Sequence, residues 1–252
     1  MNTTIAEHLK MPDLKLLKQQ WDDNLAEAVK KKPSYLRFLS DIIQREYEYK
    51  TENRRLKRLT NAKIPEMPVM ETFPFKRQPG LKKKMVMQLY DSLDHMKHKQ
   101  VLLLVGPAGC GKTGLATAYL VHAINQGARG RFIDFKDLLA QLYQAMADHS
   151  ETKVLKRFAA LDCLLIDEVG YMPLDTNQAG LFFDIIKKRH RKKCTIITSQ
   201  PGFEEWNIFI KNNHIAAALI DRITENCTIF NMTRCLSIRQ KNVMYATEKN
   251  MK

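Results

Sequence analysis

No two cysteines in this sequence are spaced C-x-x-C, and no apolar run approaches the length needed to cross a membrane. The five cysteines, Cys110, Cys163, Cys194, Cys227 and Cys235, are scattered, which argues against zinc sites and disulfides and for a reduced, cytoplasmic protein. Cys163 and Cys194 fall in strand-like runs, where a free thiol behaves as a small hydrophobe. The opening residues Met-Asn-Thr-Thr-Ile-Ala-Glu-His lack the apolar centre of a signal peptide, and no membrane partner is expected. Internal repeats and low-complexity tails are also missing. Acidic residues are short: 27 Asp and Glu against 41 Lys and Arg, for a net charge of +14 and a pI near 9.5. That imbalance points to a polyanionic partner, nucleic acid or an anionic membrane surface. With 44% hydrophobic residues among 252, the chain can bury one sizeable core and carry a small extra module.

What is present centres on Val101 to Thr113. Val-Leu-Leu-Leu-Val reads as a buried strand, Gly106-Pro107-Ala108-Gly109-Cys110-Gly111-Lys112-Thr113 follows, and helical spacing begins behind it at Leu115, Ala118, Tyr119 and His122. This is G-x-x-x-x-G-K-T with a strand before it and a helix after it, the context a phosphate-binding loop requires. Triphosphate oxygens need close approach to backbone N–H groups, which a Cβ at the glycine positions would block. The helix starting near Lys112 adds unpaired N–H groups and a positive dipole end. These eight residues with Gly114 are therefore the candidate ATP-binding set, with Lys112 reaching the β- and γ-phosphates and the Thr113 hydroxyl serving Mg²⁺. Cys110, beside a helix N-terminus, is a candidate reactive thiol whose alkylation would block nucleotide binding.

Leu164-Leu165-Ile166-Asp167-Glu168 is a second strand, delivering two carboxylates at the end where open α/β sheets bind ligands. Asp167 is placed to hold Mg²⁺ and Glu168 to orient the attacking water. Thr195 to Ser199, followed by Gln200, ends a further strand in polar groups that could meet the γ-phosphate or that water.

Residues 13 to 31 carry Leu14, Leu17, Trp21, Leu25 and Ala28 on one helical face, with Asp13 as N-cap. Pro33 breaks the pattern and Ser34 caps a second helix expected to bury Leu36, Leu39, Ile43 and Tyr47. That helix then turns basic through Arg45, Lys50, Arg54, Arg55, Lys57, Arg58 and Lys63, with Tyr47 and Tyr49 near its start. Pro65, Pro68, Pro74 and Pro79 make residues 64–80 an extended linker. A helix carrying Leu81, Met85, Leu89 and Leu93 precedes the loop strand. Strands near 131–135, 163–167, 195–199 and 228–232 alternate with helices near 138–146, 154–158, 178–190 and 214–223. The fold class is α/β, a parallel sheet flanked by helices. Domains are expected at 1–63, N-terminal and helical, and at 81–252, the ATPase, joined by the linker. Lys187 to Lys193 is a competing basic run, at a helix C-terminus where cations also favour the dipole.

The loop, the run Asp167-Glu168-Val169-Gly170-Tyr171-Met172-Pro173-Leu174-Asp175, the strand Thr195 to Ser199 and Ala217-Ala218-Leu219-Ile220-Asp221-Arg222 together resemble the IstB-like ATP-binding proteins. These are helper ATPases of insertion-sequence transposition, in the AAA+ clade that also holds DnaC-type helicase loaders. The resemblance covers nearly the whole chain. It implies an AAA+ P-loop core, and ATP-controlled homo-oligomers that assemble on double-stranded DNA with little sequence preference and present it to an IstA-type transposase. It also implies that Arg222 reaches a neighbouring subunit's ATP and that Arg239 is a second arginine sensor. The N-terminal basic residues would contact DNA. Gln200 stands where the family usually has asparagine, a longer stem that would loosen water positioning. A helicase loader and an ATP-switched DNA scaffold with negligible hydrolysis remain alternatives. A small-molecule kinase is disfavoured, because nothing outside the loop suggests an acceptor site.

Overall fold

The computed structural model describes residues 14–238; Asp13 and Arg239 lie outside the described residues. The chain forms two compact units, the first ending at Arg58 and the second beginning at Leu59. The division falls inside a helix, upstream of the proline-rich stretch.

In the first unit, α1 (Lys15–Gln19) and α2 (Trp21–Lys31) take the place of the single helix expected, because Gln20 leaves helical geometry at φ −104°, ψ 21°. Helix α3 (Tyr35–Ala62) starts at Ser34 and runs on into the second unit. Its packed face is not the expected one. Leu36, Leu39, Ile43 and Tyr47 are exposed, as is Leu25 on α2. The turned-in positions are Phe38, Ile42, Glu46 and Tyr49, a second stripe at helical spacing. Polar pairing selects that stripe. Buried Glu46 accepts the Leu17 N–H at 2.9 Å, and Arg45 donates to buried Asn24 and pairs with Glu27.

In the second unit, after α3 ends, residues 63–82 form no α-helix. Two single 3₁₀ turns, Met70–Thr72 and Phe75–Arg77, interrupt an extended path. The stretch is nonetheless packed: Met70 and Gln78 are buried. Helices α4 (Lys83–Ser92) and α5 (Asp94–Lys97) follow, separated by Leu93 at φ +52°. Helix α4 buries Val86, while Met85, expected inside, is exposed.

The remaining elements alternate. They are β1 (Val101–Val105), α6 (Lys112–Asn125), β2 (Gly130–Asp134), α7 (Phe135–Ala147), α8 (Glu151–Ala159) and β3 (Cys163–Val169), then α9 (Thr176–Arg189), β4 (Cys194–Ser199), α10 (Trp206–Phe209), α11 (Asn213–Thr224) and β5 (Cys227–Asn231). The strands are all parallel in the order β2-β3-β4-β1-β5. Residues alternate between the two faces of each strand, so β1 divides its leucines. Leu102 and Leu104 join Leu115, Tyr119, Leu165 and Ile196 in one core cluster. Leu103 joins Ile166, Phe182, Ile197 and Trp206 in the other. Burial on both faces explains why these strands read as unbroken apolar runs.

The strand order puts β4 between β1 and β3. The C-terminal ends of those three strands, which carry the phosphate loop, the acidic pair and the Thr198-Ser199 hydroxyls, therefore lie side by side. The Lys187 to Lys193 run also changes character. Arg189 is fully buried, and its guanidinium donates to Thr195 Oγ1 and to the carbonyls of Phe158, Leu161 and Cys194. Burial lowers its pKa to about 10. Arg191 pairs with Glu225, and Lys193 with Asp162. Much of this run is structural, not a free cationic surface.

Candidate functional site

The loop from Gly106 to Thr113 leaves β1 and enters α6 through two left-handed residues, Gly109 at φ +79° and Gly111 at φ +95°, a conformation only glycine adopts without strain. Gly106 is glycine for another reason. A Cβ there would lie 2.8 Å from the Met232 backbone, so it marks packing behind the loop and not phosphate approach. A Cβ on Gly114 would meet nothing within 4 Å. The Lys112 ammonium donates to Gly106 O at 2.7 Å and Pro107 O at 2.9 Å. Cys110 is fully buried, which removes it as a target for alkylation; it packs beneath the loop as a small hydrophobe.

A cavity of about 690 Å³ opens over this loop. Gly109, Gly111, Lys112 and Thr113 line one end, and Glu168, Tyr171, Thr198 and Gln200 line its side. Val69, Met70, Phe73 and Pro74, from the stretch read as a linker, form an apolar wall. That wall carries no local sequence signal beyond scattered apolar residues among prolines.

The acidic strand ends in a bulge. Pairing between β3 and β4 shifts register between Ile166 and Val169, and Glu168 sits at φ +62°. Such a bulge re-aims side chains. It buries Asp167 and leaves Glu168 exposed at the cavity. Thr198 holds both. Its hydroxyl donates to Asp167 Oδ1 and accepts the Glu168 N–H at 2.9 Å. Thr113 Oγ1 donates to the same Asp167 oxygen at 3.1 Å. Burial pushes the Asp167 pKa above its ordinary 3.8, against the hydrogen bonds from Thr198 and Thr113; nearby Asp134 raises it further and Lys112 lowers it. Thr198 was visible in the sequence only as one polar residue at a strand end. Beyond the bulge, Gly170 at φ +88° would press a Cβ to 2.5 Å from Pro201, and Asp175 closes a capping box with Gln178 on α9. The Asp-Glu-Val-Gly-Tyr-Met-Pro-Leu-Asp run is thus partly a turn-and-cap signature.

A glycine cradle, a lysine, and a hydroxyl–carboxylate pair at one cavity make a nucleoside triphosphate site. The family of IstB-like ATP-binding proteins matches residues 4–246. The chain belongs to this family. An ATP-binding protein of insertion sequence IS21 from Pseudomonas aeruginosa is 32% identical over 208 residues, covering 82% of this chain and 78% of that one. One from insertion sequence IS5376 of Geobacillus stearothermophilus is 29% identical over 251 residues, 99% and 100% of the two chains. Among solved structures, AMPPCP-bound DnaA from Aquifex aeolicus superposes with a TM-score of 0.56 at 16% identity, over 68% of this chain and 51% of that one. DnaI superposes at 0.52 with 18% identity, over 60% and 82%. These identities speak for the fold, which is the AAA+ P-loop architecture. No helix among the described residues of this IstB-like protein is long and apolar enough to cross a membrane.

Arg222 lies elsewhere in the family core. It is half-buried near the end of α11, its guanidinium 4.6 Å from the Phe183 ring centroid and hydrogen-bonded to Ala218 O at 3.1 Å. Glu225, a possible intrahelical partner, is taken by Arg191 and His190. Arg222 shares its surroundings with Lys99, Val101 and Asn226, at the start of β1. That is the opposite end of the strands from the loop. The N-terminal cations divide too. Arg45 pairs with Glu27, Lys50 with Glu46 and Arg55 with Glu52, whereas Arg54, Lys57 and Lys63 are exposed and Arg58 is half-buried.

Proposed function

We propose that this IstB-like protein hydrolyses ATP, assembles as a homo-oligomer on double-stranded DNA, and hands that DNA to an IstA-type transposase. The observation that carries the reading is that Lys112, Thr113 and Glu168 line one cavity, with the Asp167 carboxylate hydrogen-bonded to Thr113 beside it. The loop amides and Lys112 bind the phosphates, and the apolar wall from Val69 to Pro74 receives the base. The Thr113 hydroxyl and the Asp167 carboxylate, sharing one hydrogen bond, are the residues that would hold a Mg²⁺, directly or through water. When bound, that ion neutralises charge on the phosphate oxygens. Glu168, exposed at the cavity, orients the attacking water and polarises it, with Gln200 beside it. Arg222 stabilises transition-state charge at a neighbouring copy's phosphate, a role worth roughly 10³–10⁵ in rate. DNA is held through phosphate contacts from α3, so affinity falls by roughly 10³–10⁵ between 50 and 200 mM salt for 6–10 contacts.

Phosphate release and ATP binding by wild type and Glu168→Gln, with and without duplex DNA, test the reading. Expected are DNA-stimulated turnover in the wild type, and lost turnover with ATP still bound in the variant. Equal, negligible turnover in both would leave a DNA scaffold in which ATP is only a switch.

A further inference from the structure

The phosphate loop is held from behind by two segments that its motif does not include. Gln78 is fully buried, and its Nε2 donates to Cys110 O at 3.0 Å and to Leu236 O at 3.0 Å. Two carbonyls at one end of the side chain require the NH₂ group there, which fixes the orientation of the amide. Its Oε1 has no hydrogen-bond partner among the described residues, so this amide is kept inside at a desolvation cost. One residue earlier in the loop, Gly109 O accepts the Ile238 N–H at 2.9 Å.

In a trans peptide unit the carbonyl and the following N–H point in opposite directions. The carbonyls of Gly109 and Cys110 are anchored on the buried side of the loop. The N–H groups of Cys110 and Gly111 are therefore turned the other way, to the side where Gly109, Gly111 and Lys112 line the cavity. The loop also fits tightly against its neighbours, of which Phe73 and Ile238 line the cavity as well. A Cβ on Gly106 would strike Met232, and one on Gly111 would lie 3.0 Å from both Ile238 and Phe73.

We propose that Gln78 is a positioning residue for the phosphate site. With the Ile238 N–H, it presets the loop amides toward the β-phosphate and ties that preset to the C-terminal segment from Met232 to Ile238. The proposal rests on the ATP reading above and adds a residue that touches neither nucleotide nor metal. Preorganised amides need no reorientation when the anion arrives, so loosening them weakens phosphate binding specifically.

The test is calorimetric titration of the full chain with ADP and, separately, with AMP, which lacks the β-phosphate. Gln78→Met keeps the length and removes both donors. ADP affinity is expected to fall about tenfold, the worth of one such hydrogen bond, with AMP affinity within about twofold of wild type. Equal losses for both ligands would make Gln78 a packing residue and overturn the proposal, as would no loss for either. If Gln78→Met fails to fold, Ile238→Pro removes the matching bond to Gly109 from a partly exposed segment. The same ADP-selective loss is expected there, and its absence overturns the proposal. A wild-type protein that binds neither nucleotide sinks the ATP reading itself, a separate result.

Discussion

Thr198→Val swaps a hydroxyl for a methyl of nearly the same shape at a fully buried position, and it removes two hydrogen bonds together. One runs to a carboxylate and contributes about 1.5–3 kcal/mol; the other is a neutral bond to the Glu168 N–H and contributes about 1 kcal/mol. The chain should lose about 2.5–4 kcal/mol of stability in denaturant titration. The functional consequence is distinct. The Thr198 hydrogen bond pulls the Asp167 pKa down against burial, so its loss raises that pKa further. In the proposed site, a proton on Asp167 would compete with Mg²⁺. Phosphate release is expected to fall at least about tenfold, the Mg²⁺ needed for half-maximal turnover to rise, and the acid limb of the pH–rate profile to move to higher pH. ADP binding without Mg²⁺ should stay near wild type. A variant that loses stability but keeps the wild-type Mg²⁺ requirement and acid limb would refute the claim that Thr198 sets the state of Asp167.

Arg189→Met leaves two buried carbonyls and one partly buried one without their donor, and is expected to cost about 3 kcal/mol or more in denaturant titration, whereas Lys188→Ala should stay within about 0.5 kcal/mol. Replacing exposed Arg54 and Lys57 together by alanine should weaken duplex binding and reduce the slope of log affinity against log salt by about two, while Arg45→Ala, which breaks a pair with Glu27, should first lower the unit's stability. Buried His95 has its pKa lowered by burial to about 4 from 6.5, helped by His122 and opposed by Asp94. The folded state binds fewer protons than the unfolded one in that interval, so this group's contribution is intact above pH 6.5 and about 3 kcal/mol is lost as pH falls to 4; melting of His95→Leu should show a flatter pH profile there. Mixing inactive Lys112→Ala and Arg222→Ala chains in equal amounts should restore about a quarter of the wild-type turnover, as expected when the two residues serve one site from adjoining copies.

The parallel core was legible because its strands are buried on both faces and so appear as short apolar runs, each with its chemistry at the end. Lys112, Thr113 and Glu168 line one cavity, and buried Asp167 is hydrogen-bonded to Thr113 beside it. What stayed hidden depends on pairing between distant elements. Thr198 joins the acidic pair only because β4 lies between β1 and β3, an order no local pattern records. Gln78 meets Cys110 and Leu236 across 32 and 158 residues of chain, and nothing near it in sequence marks that contact. Helix α3 offered two stripes at helical spacing, and the more hydrophobic one was the wrong choice. The packed stripe was selected by polar groups on other helices, the Leu17 N–H, Asn24 and Glu27. Arg189 was concealed inside a run of lysines and arginines, where composition suggests solvent and the structure places a buried clamp.

The position of Arg222 constrains how catalysis can be organised. The loop leaves the C-terminal end of β1, and Arg222 sits beside Val101 at its start. The strand between them spans about 15 Å at ordinary rise, more than the side chain can reach. Arg222 is also steadied from within its own chain by the Phe183 ring and Ala218 O, so a large swing toward its own loop would break both contacts. A phosphate that meets Arg222 must then belong to another copy. An interface joining opposite ends of the strands of two sheets is heterologous: each copy would offer its loop to one neighbour and its arginine to the other, and such contacts build rings or filaments rather than closed pairs. In the proposed assembly, ATP at that contact would bind both partners at once, and occupancy of one small cavity would then govern whether the basic N-terminal helices are gathered along a duplex.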